Sequence, residues 1–126
     1  MNIKKVIVGL AFSMLLGSEM AAADWGDVYY CQMTNLIKIT PEGERTNYKL
    51  EKFKFTLSQT KKTMDFGSDG YFNNSSLDLE IGAFFPSQEL WYADSSVGIA
   101  KFKDGKFFFS SISTKLTAIS ADCDKF

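Results

Sequence analysis

The sequence predicts an all-β domain, a small antiparallel meander of about eight strands closed or nearly closed into a barrel, with a two-sheet β-sandwich as the alternative. Three observations carry that expectation. Asp104-Gly105 lies between two runs of alternating apolar residues, the strongest short-range hairpin signal. Short alternating segments recur between turn residues along the whole chain, at the spacing of a sandwich or barrel. Finally, Cys31 lies in the first such segment and Cys123 in the last, so joining them brings the ends of the sheet together.

The hairpin fixes a register. A two-residue type I′ turn sets Lys103 against Lys106, Phe102 against Phe107, Lys101 against Phe108 and Ala100 against Phe109. One face then carries Ala100, Phe102, Phe107 and Phe109 and must be covered, because an isolated hairpin is marginal in water.

Taken in order, the chain opens with the basic M-N-I-K-K, an apolar run over Val6–Leu16, and Ala21-Ala22-Ala23 ahead of Asp24. Basic, apolar and small residues in that order read as a secretory signal peptide, and the apolar run is well short of the roughly 20 residues that cross a bilayer. The expected organisation is a signal peptide over 1–23 and a single β-barrel-like domain over 24–126, periplasmic or secreted. Export oxidises thiols, so Cys31 and Cys123 are expected to form a disulfide.

Val28–Ile39 alternates, with Tyr29, Cys31, Met33, Ile37 and Ile39 on one parity, and Asn35 breaks the pattern as a bulge would. A polar Thr40–Asn47 connection leads to the cleanest strand, where Phe53, Phe55 and Leu57 alternate with Lys52, Lys54 and Thr56. Met64 and Phe66 form one side of a short strand, Gly67–Gly70 is turn chemistry, and a strand is expected at Tyr71-Phe72. Leu77, Leu79 and Ile81 alternate again, Ala83–Gln88 interrupts, and Leu90–Ala93 leads to the hairpin. Leu116–Cys123 places Thr117, Ile119, Ala121 and Cys123 together. No helix is expected after the leader. A barrel in the outer membrane is rejected, since the strands are too short and Lys52 and Lys54 would face lipid.

Histidine is absent from the chain, which has 2 cysteines. That removes the usual general base, the Ser-His and Cys-His nucleophile systems and the commonest metal ligand. Carboxylate chemistry survives in principle, through Asp65, Asp69, Asp78, Glu80 and Asp94, but no spacing pairs them, so no enzyme activity, catalytic residue, cofactor or metal site is expected. Asp65-Phe66-Gly67 matches the kinase metal-binding tripeptide by letters only, and the Asn73–Ser76 sequons read as a turn. The formal net charge of −1 points to no nucleic-acid partner. Along the chain, lysines crowd 49–62 and return at 101–106, while 63–100 holds only acids.

The aromatic residues supply the functional expectation. Adjacent pairs such as Tyr29-Tyr30, Phe84-Phe85 and Trp91-Tyr92 must each turn one ring away from the core when extended. Phe84, Phe85, Trp91 and Tyr92 are therefore the expected partner-binding residues, in a non-enzymatic binding or inhibitory module that contacts a protein or cell-envelope partner. Such rings also serve to cover a barrel end or to pack on lysine stems. The alternatives are a small-ligand carrier with a lipocalin-like cavity or a structural envelope component, and the domain is expected to be monomeric with no stable membrane span after leader removal. The layout of Cys31 in the opening strand and Cys123 near the end is similar to that of small periplasmic inhibitors of c-type lysozyme, without a diagnostic loop motif of that family.

Overall fold

The computed structural model describes residues 22–82 and 90–126. All but the last two positions of the expected leader lie outside the described residues. So do Phe84 and Phe85.

Among the described residues nine strands form one antiparallel sheet: β1 (Val28–Ile39), β2 (Arg45–Asn47), β3 (Lys52–Ser58), β4 (Thr63–Asp65), β5 (Ser76–Asp78), β6 (Trp91–Asp94), β7 (Ile99–Lys103), β8 (Lys106–Ile112) and β9 (Leu116–Lys125). Eight follow one another around the wall in the order β5-β4-β3-β1-β9-β8-β7-β6, with β2 attached to β1. The circle is almost complete. A bridge between Leu79 and Ala93, with the Glu80 N–H donating to the Tyr92 carbonyl at 2.8 Å, spans the seam between β5 and β6. Among the described residues no helix is long and apolar enough to cross a membrane.

The Asp104-Gly105 turn takes positive φ at both residues, 51° and 76°, as the type I′ turn requires, and β7 pairs β8 in the expected register. Cys31 lies directly opposite Cys123 and the two are disulfide-bonded with Cα atoms 4.0 Å apart, fastening the first strand to the last. β1 is long enough to divide its second edge, pairing β3 through Val28–Gln32 and β2 through Ile37–Ile39.

The pattern differs from the sequence expectation in several places. Between Ser120 and Ala121 the register of β9 against β1 shifts, so that Asn35 opposes Ser120 while Met33 opposes Ala121, and Thr34 is the extra residue. The bulge reverses the parity beyond it. Leu36 is buried in place of Ile37 and Ile39, which turn to the outer side. Thr34 Oγ1 and Asn35 Nδ2 both meet Ser120 Oγ at 2.7 Å, which gives the bulge's polar groups a partner. Tyr71-Phe72 belongs to a turn and not to a strand, because the Asn73 and Asn74 N–H groups bond back to the Gly70 and Gly67 carbonyls. Ile81, expected inward with Leu77 and Leu79, is exposed.

The interior is filled with side chains. Tyr29, Phe55, Phe66, Phe102 and Phe107 are all buried, with Phe107 at 4.9 Å from Phe53 and Phe102 at 4.6 Å from Tyr29 between ring centroids. One inner row runs Trp91, Phe102, Phe107 and Ala121 across four strands, and the neighbouring row sets Ala93 and Ala100 beside Phe109. A row of mostly large residues thus lies beside one that begins with two small ones, the mixture of sizes that fills a narrow barrel.

Tyr29 carries one cost. Its hydroxyl is buried and finds no hydrogen-bond partner among the described residues, although its ring packs on Phe55 at 5.5 Å. Burial raises the phenol above its ordinary pKa of 10.0, and the negative charge of Asp27 raises it further. A folded-state pKa above the unfolded one means that the neutral phenol's contribution is complete below about pH 10 and is lost as pH climbs through the folded value. Tyr29→Phe keeps the ring and removes the unpaired hydroxyl, so it is expected to stabilise the fold by about 1 kcal/mol at neutral pH. Urea titrations should show that advantage growing above about pH 10. A variant less stable than the parent at pH 7 would mean that the hydroxyl is satisfied.

Candidate functional site

Of the residues expected to bind a partner, Trp91 and Tyr92 are described, and they separate. Trp91 is 3% exposed, pointing into the barrel with its ring edge-on to Trp25 at 4.9 Å, so it is not a surface contact residue. Its pairing with Phe102 places it on the inner face. Tyr92 lies on the outer face, where the Lys101 ammonium sits 5.7 Å from its ring. Burial raises the Tyr92 phenol above its ordinary pKa, with added effects from Asp94 and Glu80. Two further rings carry lysine ammoniums at similar distance, Tyr48 under Lys38 at 5.0 Å and Trp25 under Lys62 at 5.1 Å. Packing of aromatic rings on lysine side chains, one of the two roles expected of them, therefore occurs.

A larger apolar surface forms elsewhere on the outer wall. Strand pairing brings Tyr92, Lys101, Phe108 and Ser120 into one row, Asp94, Ile99, Ser110, Ala118 and Ile37 into the next, and Ile112, Leu116, Ile39 and Arg45 into a third. Within these rows Ile99, Phe108 and Ile112 are 41%, 55% and 83% exposed. Ile37, Ile39, Leu116 and Ala118 are half-buried around them. A shallow depression of about 290 Å³ lies among Ile99, Lys101, Phe108, Ser110 and Ala118. The charges at its margins are mixed, with Asp94 and Lys101 on one side and Arg45 on the other. Contiguous exposed apolar surface of this kind marks a contact site more often than isolated side chains do.

The hairpin register announces Phe108. Ile37 and Ile39 join it only because the Thr34 bulge turns them outward, and the sequence signal for that was the break in parity at Asn35.

The carboxylates are dispersed. Asp65 pairs with Lys61 at 3.7 Å and accepts the Gly67 N–H at 3.1 Å, Asp122 pairs with Lys106 at 2.6 Å, and Asp27 pairs with Lys125 at 3.4 Å. Among the described residues no group of three or more acidic, histidine or cysteine side chains is placed to hold a metal ion. Both cysteines are consumed in the disulfide.

Fold and surface together define a small, nearly closed antiparallel β-barrel, disulfide-fastened across its first and last strands, with a packed interior and an apolar area on its outer wall. Compared with known proteins, the chain matches no family model, no curated protein and no solved structure.

Proposed function

We infer that the chain is a secreted or periplasmic, non-enzymatic binding module that engages a protein partner through the outer face of β7, β8, β9 and β1, with Phe108 at its centre. The observation that carries this reading is the division of apolar residues between two places. The interior is occupied by interlocking rings, which disfavours a carrier, while Phe108, Ile99 and Ile112 project to solvent from regular strands with no covering segment among the described residues. Mixed charge at the margins suits the mixed rim of a protein interface better than the uniformly anionic surface of a membrane. The absence of histidine and the use of both cysteines in the disulfide leave few routes to catalysis.

The test is capture from envelope extract by the immobilised protein and by its Phe108→Glu variant. A charge on an exposed strand position leaves the core intact, which a thermal melt verifies. The partner recovered by the parent is expected to fall at least about tenfold with the variant, the size of a hot-spot loss. Identical recovery of every captured protein by both forms overturns the reading. A dimer that sediments without any partner, and that Phe108→Glu dissolves, transfers the face to a second copy of the chain.

A further inference from the structure

The opposite end of the same outer wall carries a different arrangement. There β3, β1 and β9 lie side by side, and strand pairing places Lys54, Tyr30 and Asp124 in one row and Lys52, Gln32 and Asp122 in the next. The outcome is a column of ammoniums on β3 and a column of carboxylates on β9, two strand spacings or roughly 10 Å apart. Tyr30 and Gln32 stand between them. Two adjoining depressions of about 340 and 390 Å³ share Tyr30, Lys52 and Phe53, one extending to Lys54 and Asp69, the other to Asp122 and Asp124.

Charge pairing in this groove is incomplete. Asp122 is matched by Lys106 from β8, but Lys52, Lys54, Asp69 and Asp124 form no ion pair among the described residues. Asp69, at the lip of the cationic column, offsets part of its field. Tyr30, on the row between Lys54 and Asp124, is 47% exposed, and its ring meets that of Phe126 at 5.4 Å.

We propose that this groove is a second binding site, independent of the Phe108 face, that accepts a polypeptide segment bearing one acidic and one basic side chain. The acidic group lies at Lys52 and Lys54, the basic group at Asp124 with its cation beside the Tyr30 and Phe126 rings, and the intervening chain crosses Tyr30. The spacing selects this class of ligand. In a free amino acid or a zwitterionic lipid headgroup the two charges are only a few bonds apart, so neither reaches both columns. A neutral glycan leaves both columns unmatched. Side chains two residues apart on an extended segment share a face about 7 Å apart at their Cα atoms, and their flexible stems reach the remaining distance.

The experiment is an NMR titration of the purified protein at low salt with three blocked peptides, Ac-Glu-Ala-Lys-NH2, Ac-Glu-Ala-Gln-NH2 and Ac-Gln-Ala-Lys-NH2. The doubly charged peptide is expected to bind about two- to fivefold more tightly than either control, with shifts centred on Tyr30, Lys54 and Asp124, and the preference should vanish near 1 M salt. Lys54→Gln should erase the advantage over the lysine-only peptide, and Asp124→Asn the advantage over the glutamate-only one. Equal affinity for all three, or shifts centred elsewhere, overturns the proposal. Binding by the glutamate-only peptide as tight as by the doubly charged one reduces the groove to lysine attraction and overturns it as well. Because Phe108→Glu leaves these residues untouched, its titration keeps the outcome separate from the fate of the Phe108 face.

Discussion

Removing the Cys31–Cys123 bond, by replacing both residues with alanine, is expected to lower the unfolding free energy by about 4 to 5 kcal/mol. The size follows from the sequence separation of 92 residues, since cross-linking so long a loop removes that much conformational entropy from the unfolded chain in the entropic model. A domain of this size commonly has about 5 to 15 kcal/mol of net stability, so the effect is a large share of the whole. The fold itself should survive at low temperature, because β1 and β9 pair along the full length of β9 with or without the sulfur link. Urea denaturation of parent and variant in the same buffer measures the difference. A loss under about 1 kcal/mol would show that unfolded-state structure, and not loop entropy, governs the bond's contribution.

The second large effect is expected at Phe107. Its ring is fully buried and lies 4.9 Å from Phe53, 5.9 Å from Phe55, 6.0 Å from Phe72 and 6.2 Å from Phe66, so it ties β8 across the interior to β3 and to the loop after β4. Phe107→Ala removes those contacts and leaves a cavity that the rigid wall cannot close, at a cost of about 3 to 5 kcal/mol. Phe108→Ala, one residue further on, truncates an outward ring and should cost under about 1 kcal/mol. Chemical denaturation of the two variants side by side measures the contrast. Equal losses would mean that the hairpin register differs from the one described.

That register was legible because Asp104-Gly105 demands positive φ twice, and a two-residue turn leaves no freedom in what opposes what. The alternation of β3 was equally plain, and so was the placing of both cysteines on inward parities of the outermost segments of sequence. The bulge was legible only as a disturbance. A break at Asn35 does not say whether the chain gains a residue there, and one residue decides which side of the sheet Ile37 and Ile39 occupy. Trp91 and Tyr92 posed the same difficulty in smaller form. Adjacent rings on a strand must part, but only the pairing of Trp91 with Phe102 says which one goes in. The Phe108 face and the Tyr30 groove draw on strands far apart in sequence, so neither could be assembled before the strand order was known.

That order has a consequence for how the molecule is made. β1 is synthesised before β9 and can pair with β3 soon after, but its other edge belongs to β9, which follows far downstream in sequence. Until β9 emerges, a twelve-residue strand therefore presents bare N–H and C=O groups along one side, with Tyr29 and Met33 not yet covered. Slow elongation between β1 and β9, or an oxidant that seizes Cys31 before Cys123 arrives, prolongs that interval and leaves β1 open to intermolecular pairing.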